Sequence, residues 1–369
     1  MLWNWLHPQW PRFHWDDQEI ARLEAEFLKL GGMLAGVLRY MDSEDRANLE
    51  ADLLTSEAMD TSLIEGEILT RSSVQSSIRG LLGLDAGSSR ATPAEVGISR
   101  MTVDVRRTFA DQLDESRLHA WHEALMSGRF DVSAGRYRIH PDPMQIVSGS
   151  LSRPKVHFEA VPSAQVRGEM EVFVAWFNAS EQAVKPLSRA GIAHLHFESI
   201  HPYEDGNGRI GRAISEKALN QGIGEPVGIL LSSEIESRRR QYYAELEKAS
   251  QGLDATRWLV WFGETVIAAQ HRSLAWIEFV VQKARVLNSL RGRLNVRQEK
   301  ALLRIFREGP TGFQGGLSAA NYMKITGASP ATATRDLGEL VEWGALRRVG
   351  EKKGARYLLA ENTSQRSFQ

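Results

Sequence analysis

The spacing of apolar and polar residues lays out a largely helical chain. Ile20, Leu23, Phe27, Leu30, Met33 and Leu34 recur at the three- and four-residue intervals of an amphipathic helix that begins near Asp17. A second helix is expected from Ser43, an N-cap candidate with Glu44 and Asp45 in its first turn, to about Leu69. The polar stretch Gly87–Pro93 reads as a linker, and helical spacing returns at Ser116–Met126. Between Gly135 and Phe158 the rhythm changes. Tyr137, Ile139, Ile146, Val147, Val156 and Phe158 are β-formers separated by Pro and Gly, which predicts a short hairpin. Helices are then expected at Ser163–Asn178, Lys185–Ser199, Asn207–Gln221, Ser233–Ser250 and Ala255–Arg285. The opening is different again: Trp3, Trp5, Trp10 and Trp15, broken by Pro8 and Pro11, predict an irregular strap whose rings pack onto the body.

The C-terminal part has its own pattern. Arg297–Arg307, Ser318–Ile325 and Ser329–Trp343 read as helices, the last with Pro330 in its first turn and Gly344 as its stop. Ala345–Val349 and Ala355–Leu359 flank Gly350–Gly354, a hairpin whose tip carries Lys352 and Lys353. Three helices followed by a basic hairpin resemble a winged helix-turn-helix.

Composition narrows the classes. The 369 residues are 42% hydrophobic and 25% charged, which excludes wholesale disorder. The chain has no cysteine, so disulfides, thiolate metal sites, iron–sulfur clusters and cysteine nucleophiles are excluded. No apolar run approaches the roughly 18 residues of a membrane span, and the opening lacks a basic stretch followed by an apolar core. A cytoplasmic protein with no membrane partner is therefore expected. The net charge of −1 conceals a division: from Lys283 onward there are 16 Lys and Arg against 7 Asp and Glu, and before it 29 against 39. That split points either to a basic module meeting a polyanion or to a solvated helical face.

The densest chemistry lies in His201-Pro202-Tyr203-Glu204-Asp205-Gly206-Asn207-Gly208-Arg209-Ile210-Gly211-Arg212. Gly206 and Gly208 permit a tight turn that offers backbone N–H groups to an anion. A helix starting at Asn207 would direct its positive end to the same place. Arg209 and Arg212, three residues apart, share a helical face and can clamp phosphate oxygens. Asp205 or Glu204 supplies a hard oxygen for Mg²⁺, and His201 can act as a general base. His194 and His196 lie nearby, but their spacing fits core packing better than a zinc site. No GxxxxGK(S/T) or GxSxG is present, which argues against a Walker-type ATPase and an α/β-hydrolase.

This run resembles the HPFx(D/E)GNGRxxR signature of the Fic family of nucleotidyltransferases, with Tyr203 in place of the usual phenylalanine. The resemblance covers roughly residues 96 to 282 and implies AMP transfer from ATP to a Ser, Thr or Tyr hydroxyl of a target protein or of the chain itself. In that scheme His201 is the base and Asp205 holds Mg²⁺. Gly206, Asn207 and Gly208 cradle phosphates, and Arg209 and Arg212 offset their charge. The hairpin at Gln145–Val147 and Lys155–Phe158 resembles the family's target-binding flap, and Tyr242 or Tyr243 is placed to stack on adenine.

Thr61-Ser62-Leu63-Ile64-Glu65-Gly66 fits the family's inhibitory motif (S/T)xxxE(G/N). Thr61 and Glu65 are expected on one helical face, with Glu65 reaching Arg212 and displacing the γ-phosphate. Glu67, two residues on, falls outside the pattern. The expected fold is mainly α: a Fic-type helical bundle with a small β-hairpin flap, plus a C-terminal winged helix-turn-helix. The expected domains are 1–95 with the inhibitory helix, 96–282 catalytic, and 283–369 winged helix. The last would bind DNA or protein, and a homodimer is a further option. The rival functions are a DNA-binding regulator whose Fic domain senses nucleotide, and transfer of another nucleotide or of phosphate. Intact His201 and Asp205 oppose the first, and the second glycine of Gly206-Asn207-Gly208, which the family's kinase-like branch lacks, opposes the last.

Overall fold

The computed structural model describes residues 2–87, 89–150, 153–306, 315–351 and 354–360. It divides into two compact units, Met1–Ser273 and Leu274–Gln369. No helix among the described residues is long and apolar enough to cross a membrane.

The first unit contains α1 (Asp17–Tyr40), α2 (Ser43–Ile64), α3 (Arg71–Leu81), α4 (Pro93–Arg107), α5 (Glu115–Leu125), α6 (Ser163–Ala179), α7 (Pro186–Ile200), α8 (Asn207–Ile223), α9 (Leu231–Ser237), α10 (Arg239–Ala249) and the start of α11 (Thr256–Ser289). One antiparallel hairpin, β1 (Gln145–Ser150) and β2 (Arg153–Glu159), pairs Gln145 with Glu159 and Ile146 with Phe158. The centre of the unit is the pair α7 and α8, buried nearly all round. The N-terminus of α7 is closed from a distance. The buried Glu24 of α1 accepts from the backbone N–H groups of Leu187 and Ser188 and from the Ser188 hydroxyl, satisfying donors that a helix start leaves free.

Several elements differ from the sequence reading. The cap of α2 is Asp42, whose side chain accepts from the Asp45 N–H, and the helix stops at Ile64 rather than near Leu69. Gly66, at φ 83°, ends it: the Glu67 N–H reaches the Ser62 carbonyl and the Gly66 N–H the Leu63 carbonyl, a Schellman turn. The expected linker contains Thr92, the cap of α4, with a full capping box to Glu95 and Pro93 at the first turn. The helix expected over Ser233–Ser250 breaks at Arg238 into α9 and α10.

The Trp-rich opening holds one 3₁₀ turn, Asn4–Leu6. Buried Asn4 donates through Nδ2 to Ser199 Oγ at 2.7 Å, and its N–H reaches the Ser250 carbonyl at 2.7 Å. Trp5 Nε1 donates to the Glu159 carbonyl and Trp10 Nε1 to Glu169. The segment is thereby fastened to the end of β2, to α6, to α7 and to the end of α10.

The second unit has α12 (Val296–Phe306), α13 (Ala319–Thr326), α14 (Pro330–Glu342) and the antiparallel pair β3 (Leu346–Val349) and β4 (Arg356–Leu359). Leu302, Ile305, Tyr322, Leu337, Leu340 and Leu346 belong to its core. Lys352 and Lys353, expected at the hairpin tip, and the polar residues after Ala360 lie outside the described residues.

Candidate active site

The α7–α8 connection carries the signature run. Helix α7 ends on His201, which adopts a left-handed conformation, φ 50° and ψ 61°. It is the one non-glycine with positive φ among the described residues, a backbone state that costs energy and recurs at functional sites. Helix α8 begins after Gly206, also left-handed at φ 83°, and no side chain caps it. Its first amides therefore remain suited to an anion. Asn207 does not extend its amide into that space. Its Oδ1 accepts from the Tyr203 N–H at 2.9 Å and its Nδ2 donates to the Tyr203 carbonyl at 2.8 Å. The side chain thereby staples the loop. The Tyr203 hydroxyl, the departure from the family pattern, sits 3.1 Å from His119 Nδ1. His122 stacks on the Tyr203 ring at 4.1 Å and accepts from the Gly135 N–H. Burial lowers its pKa to about 4, so it is neutral near pH 7.

Around His201, Glu198 Oε2 stands 3.7 Å from Nδ1, beyond hydrogen-bond distance. Burial opposes the Glu198 charge, but His201, His194 and Arg212 together hold its pKa below the ordinary value. Glu198 Oε1 and His201 Nδ1 are buried without hydrogen-bond partners. The carboxylate is therefore a ready acceptor for a protonated imidazole.

The two arginines of the run are both occupied. Arg212 donates from Nε to Thr61 Oγ1 at 2.8 Å and from Nη2 to the Thr61 carbonyl and to Glu65 Oε1, the last at 2.7 Å. Burial works against its charge, yet Glu65, Tyr242 and Glu198 together outweigh burial and the guanidinium pKa is raised. Glu65 is not within the helix, as the motif reading had it, but is the C-cap of α2. Its Oε1 lies so close to Gly208 that a Cβ there would collide with it. Glu67, which fell outside the sequence pattern, meets the other arginine: Arg209 Nη1 donates to Glu67 Oε2 at 2.8 Å, and Nη2 to Asp205 Oδ1 at 3.1 Å. The Schellman turn at Gly66 is what presents both carboxylates. Arg212 Nη1 and Arg209 Nε are buried donors with no partner.

Asp205 is held from a second side. Arg129, between α5 and β1, donates from Nη1 to Asp205 Oδ2 at 2.8 Å while its other nitrogens pair with Asp131. Burial raises the Asp205 pKa, but Arg129 and Arg209 more than offset it and the carboxylate is ionised. An alternating chain, Asp131–Arg129–Asp205–Arg209–Glu67, results. The sequence held no local sign of Arg129 or Glu67, since each pairs across a long chain separation. Asp205, Arg209, Glu65 and Glu67 border a cavity of about 380 Å³. An ionised hard-oxygen donor beside a cavity and displaceable guanidinium groups fits a magnesium ion bound with phosphates.

A second cavity, about 710 Å³, is lined among others by Ile146, Phe158, His201, Gly208 and Tyr243. Tyr243 is 40% exposed. Tyr242 also borders the cavity, but it is buried and its hydroxyl engages His194 Nε2 at 2.8 Å. His194 also meets Ser215, and His196 packs among Trp10, Phe13, Phe173 and Trp176. A larger cavity of about 820 Å³ beside α4 and α5 includes no residue of the 201–212 run.

Residues 112–219 match the Fic/DOC family model, and residues 3–84 match a model described as a domain of unknown function, DUF4172. Protein adenylyltransferase fic-1 of Caenorhabditis elegans is 27% identical over 143 residues, 38% of this chain and 25% of that protein. Protein adenylyltransferase Fic of Drosophila grimshawi is 33% identical over 117 residues, 31% of this chain and 23% of that protein. The chain thus spans about a quarter of the length of these curated relatives. A Fic family protein from Desulfovibrio desulfuricans G20 shares the fold with a TM-score of 0.53 and 24% identity, over 93% of this chain and 96% of that one. A Fic-domain signaling protein from Bacteroides thetaiotaomicron VPI-5482 gives 0.52 and 20%, over 72% and 96%. Residues 112–219 are thus similar to the Fic/DOC family, with the 201–212 run near the C-terminal end of the match.

Proposed function

We propose that the first unit is an autoinhibited, cytoplasmic protein adenylyltransferase that moves AMP from ATP to a hydroxyl side chain of a target protein or of the chain itself. The observation that carries this reading is the Glu65–Arg212 pair at 2.7 Å over an otherwise complete signature run. His201 removes the acceptor hydroxyl proton. The acceptor oxygen bonds to the α-phosphorus, the bond from that phosphorus to the bridging oxygen breaks, and pyrophosphate leaves. The Gly206 and Gly208 turn and the first amides of α8 receive phosphate oxygens, and Arg209 and Arg212 offset the leaving group's charge. Glu198 stabilises the imidazolium that forms. Asp205 would hold a magnesium ion, which supplies positive charge beside the phosphates when bound. Tyr243 stacks on the base, and the β1–β2 flap, with Ile146 and Val147 exposed, adds the target segment as a strand.

At rest, Glu65 and Glu67 occupy the guanidinium groups that the phosphates need, so the enzyme is largely off. The test is transfer by Glu65→Gly given ATP labelled on the α- or the γ-phosphate, and the same with GTP and UTP. Protein-bound label from α-labelled ATP alone supports adenylyl transfer. Label from the γ position identifies a phosphoryl transferase, and label from another nucleotide changes the substrate.

For residues 283–369 we propose a winged helix that binds DNA. Asp336 on α14 is buried and paired with Arg297 and the Tyr322 hydroxyl. The exposed face of α14 accordingly includes Thr334 and Arg335. Salt-dependent binding of the full chain to duplex DNA supports this, and binding absent even at low salt contradicts it.

A further inference from the structure

Arg138 lies between α5 and β1, 63 residues before His201 in the chain. It is 3% exposed. All its described hydrogen bonds end on main-chain carbonyls. Nε donates to His201 O at 2.8 Å, Nη2 to Ile200 O at 3.2 Å and to Val161 O, and the Arg138 N–H to Pro202 O at 2.9 Å. Burial alone acts on its charge, lowering the pKa to about 10. A buried cation without a carboxylate is costly and persists where its surroundings demand it. Here the guanidinium meets the Ile200 and His201 carbonyls of the left-handed turn, at the negative end of α7, while the Arg138 backbone N–H holds the next one, Pro202. The same guanidinium ties that turn to the chain just beyond β2.

We propose that Arg138 is a positioning residue for the transfer reaction: by gripping the carbonyls of Ile200, His201 and Pro202 it fixes the strained backbone that aims the His201 imidazole into the 710 Å³ cavity. The inference rests on the proposed function for its rate readout but not for its structural one. A residue that only supported the fold would change stability. One that aims the base changes the rate at saturating ATP and leaves the ATP dependence alone, because small misplacements of a reacting group are expensive.

The experiment uses the full chain carrying Glu65→Gly, with self-labelling from α-labelled ATP as the rate assay. Arg138→Ala is expected to lower the saturating rate about 100-fold with the half-saturating ATP concentration unchanged. Millimolar guanidinium, but not methylammonium, should restore most of the loss by refilling the site. A folded Arg138→Ala variant with a rate within twofold of the parent overturns the inference, as does a loss that guanidinium leaves untouched. If Arg138→Ala does not fold, Arg138→Lys decides. A loss of tenfold or more with unchanged ATP dependence supports positioning, since one ammonium cannot span three carbonyls, and a smaller loss overturns it. If the parent itself transfers no label, the proposed function fails separately. The His201 imidazole resonance, read by NMR, then judges Arg138: a shift in the variant that guanidinium reverses supports the inference, and an unmoved resonance overturns it.

Discussion

Glu65 Oε1 lies 2.7 Å from Arg212 Nη2, and Glu65 is delivered there by the turn that ends α2 rather than by the helix itself. Gly66 makes that turn. At φ 83° it occupies a region that a side chain disfavours, although nothing lies within 4 Å of the place a Cβ would take. Substitution therefore strains the backbone without a clash. Gly66→Val should cost about 1 kcal/mol of stability or somewhat more and release AMP transfer with Glu65 still present. Transfer rate and thermal midpoint, measured together, check this. A strained but fully silent variant would show that the turn does not set the inhibitory contact.

Arg209 is engaged by Glu67 as Arg212 is by Glu65. Glu67→Ala in the Glu65→Gly background should therefore tighten ATP binding further. An effect of roughly tenfold, about 1.4 kcal/mol, is expected from removing a charge-assisted competitor. Calorimetric titration with ATP and Mg²⁺ measures it. Equal affinity in the single and double variants would mean that Glu67 does not compete with the nucleotide.

Glu57 on α2 and Glu216 on α8 are buried. Burial raises both carboxyls, that of Glu216 to about 7, and their mutual repulsion adds to the rise at Glu57. A carboxyl raised in the folded state keeps a proton that the unfolded chain has released. Between the ordinary glutamate value and about pH 7, these two carboxyls therefore take stability away as pH rises, against the opposite contribution of the buried neutral His122, His194 and His196. Unfolding measured from pH 4.5 to 7.5 isolates the carboxyl part by comparison: the wild type should lose stability relative to Glu216→Gln as pH rises. Parallel curves for the two proteins would contradict the assignment.

The Trp-rich opening is held by more than its rings. Asn4 uses both its side chain and its backbone to join Ser199 and Ser250. Asn4→Ala leaves the Ser199 hydroxyl without its donor in a buried place and should cost about 1–3 kcal/mol in denaturant unfolding. A change under a few tenths would show the strap to be loosely held.

Much of this architecture was legible in the sequence because it is local. The α7 and α8 helices, the loop between them and the C-terminal order of helices and hairpin follow from periodicity, glycine and proline placement. The extent of α2 was misread because Ile68 and Leu69 continue its apolar character past Gly66. Gly66 as a helix stop, like the Thr92–Glu95 capping box inside the expected linker, was present in the sequence and outweighed by neighbouring composition. Apart from Glu65, which the motif places at Arg212, the partners of the signature run were not legible. Arg129 with Asp205, Glu67 with Arg209, and Arg138 with the His201 carbonyl are long-range pairs, and nothing in their own neighbourhoods distinguishes them from surface charges. The orientation of the Asn207 amide was hidden for the opposite reason: the motif names the residue but not which way its side chain turns.

The central claim is that a competent active site is held off by Glu65. Its most direct test is the incorporation of α-labelled ATP, with Mg²⁺, by the wild-type chain, by Glu65→Gly, and by Glu65→Gly combined with His201→Ala, each incubated alone and with a cell lysate. The account predicts little label with wild type, strong label with Glu65→Gly, and none above background once His201 is removed. Equal labelling by wild type and Glu65→Gly, or labelling that survives the loss of His201, would contradict it.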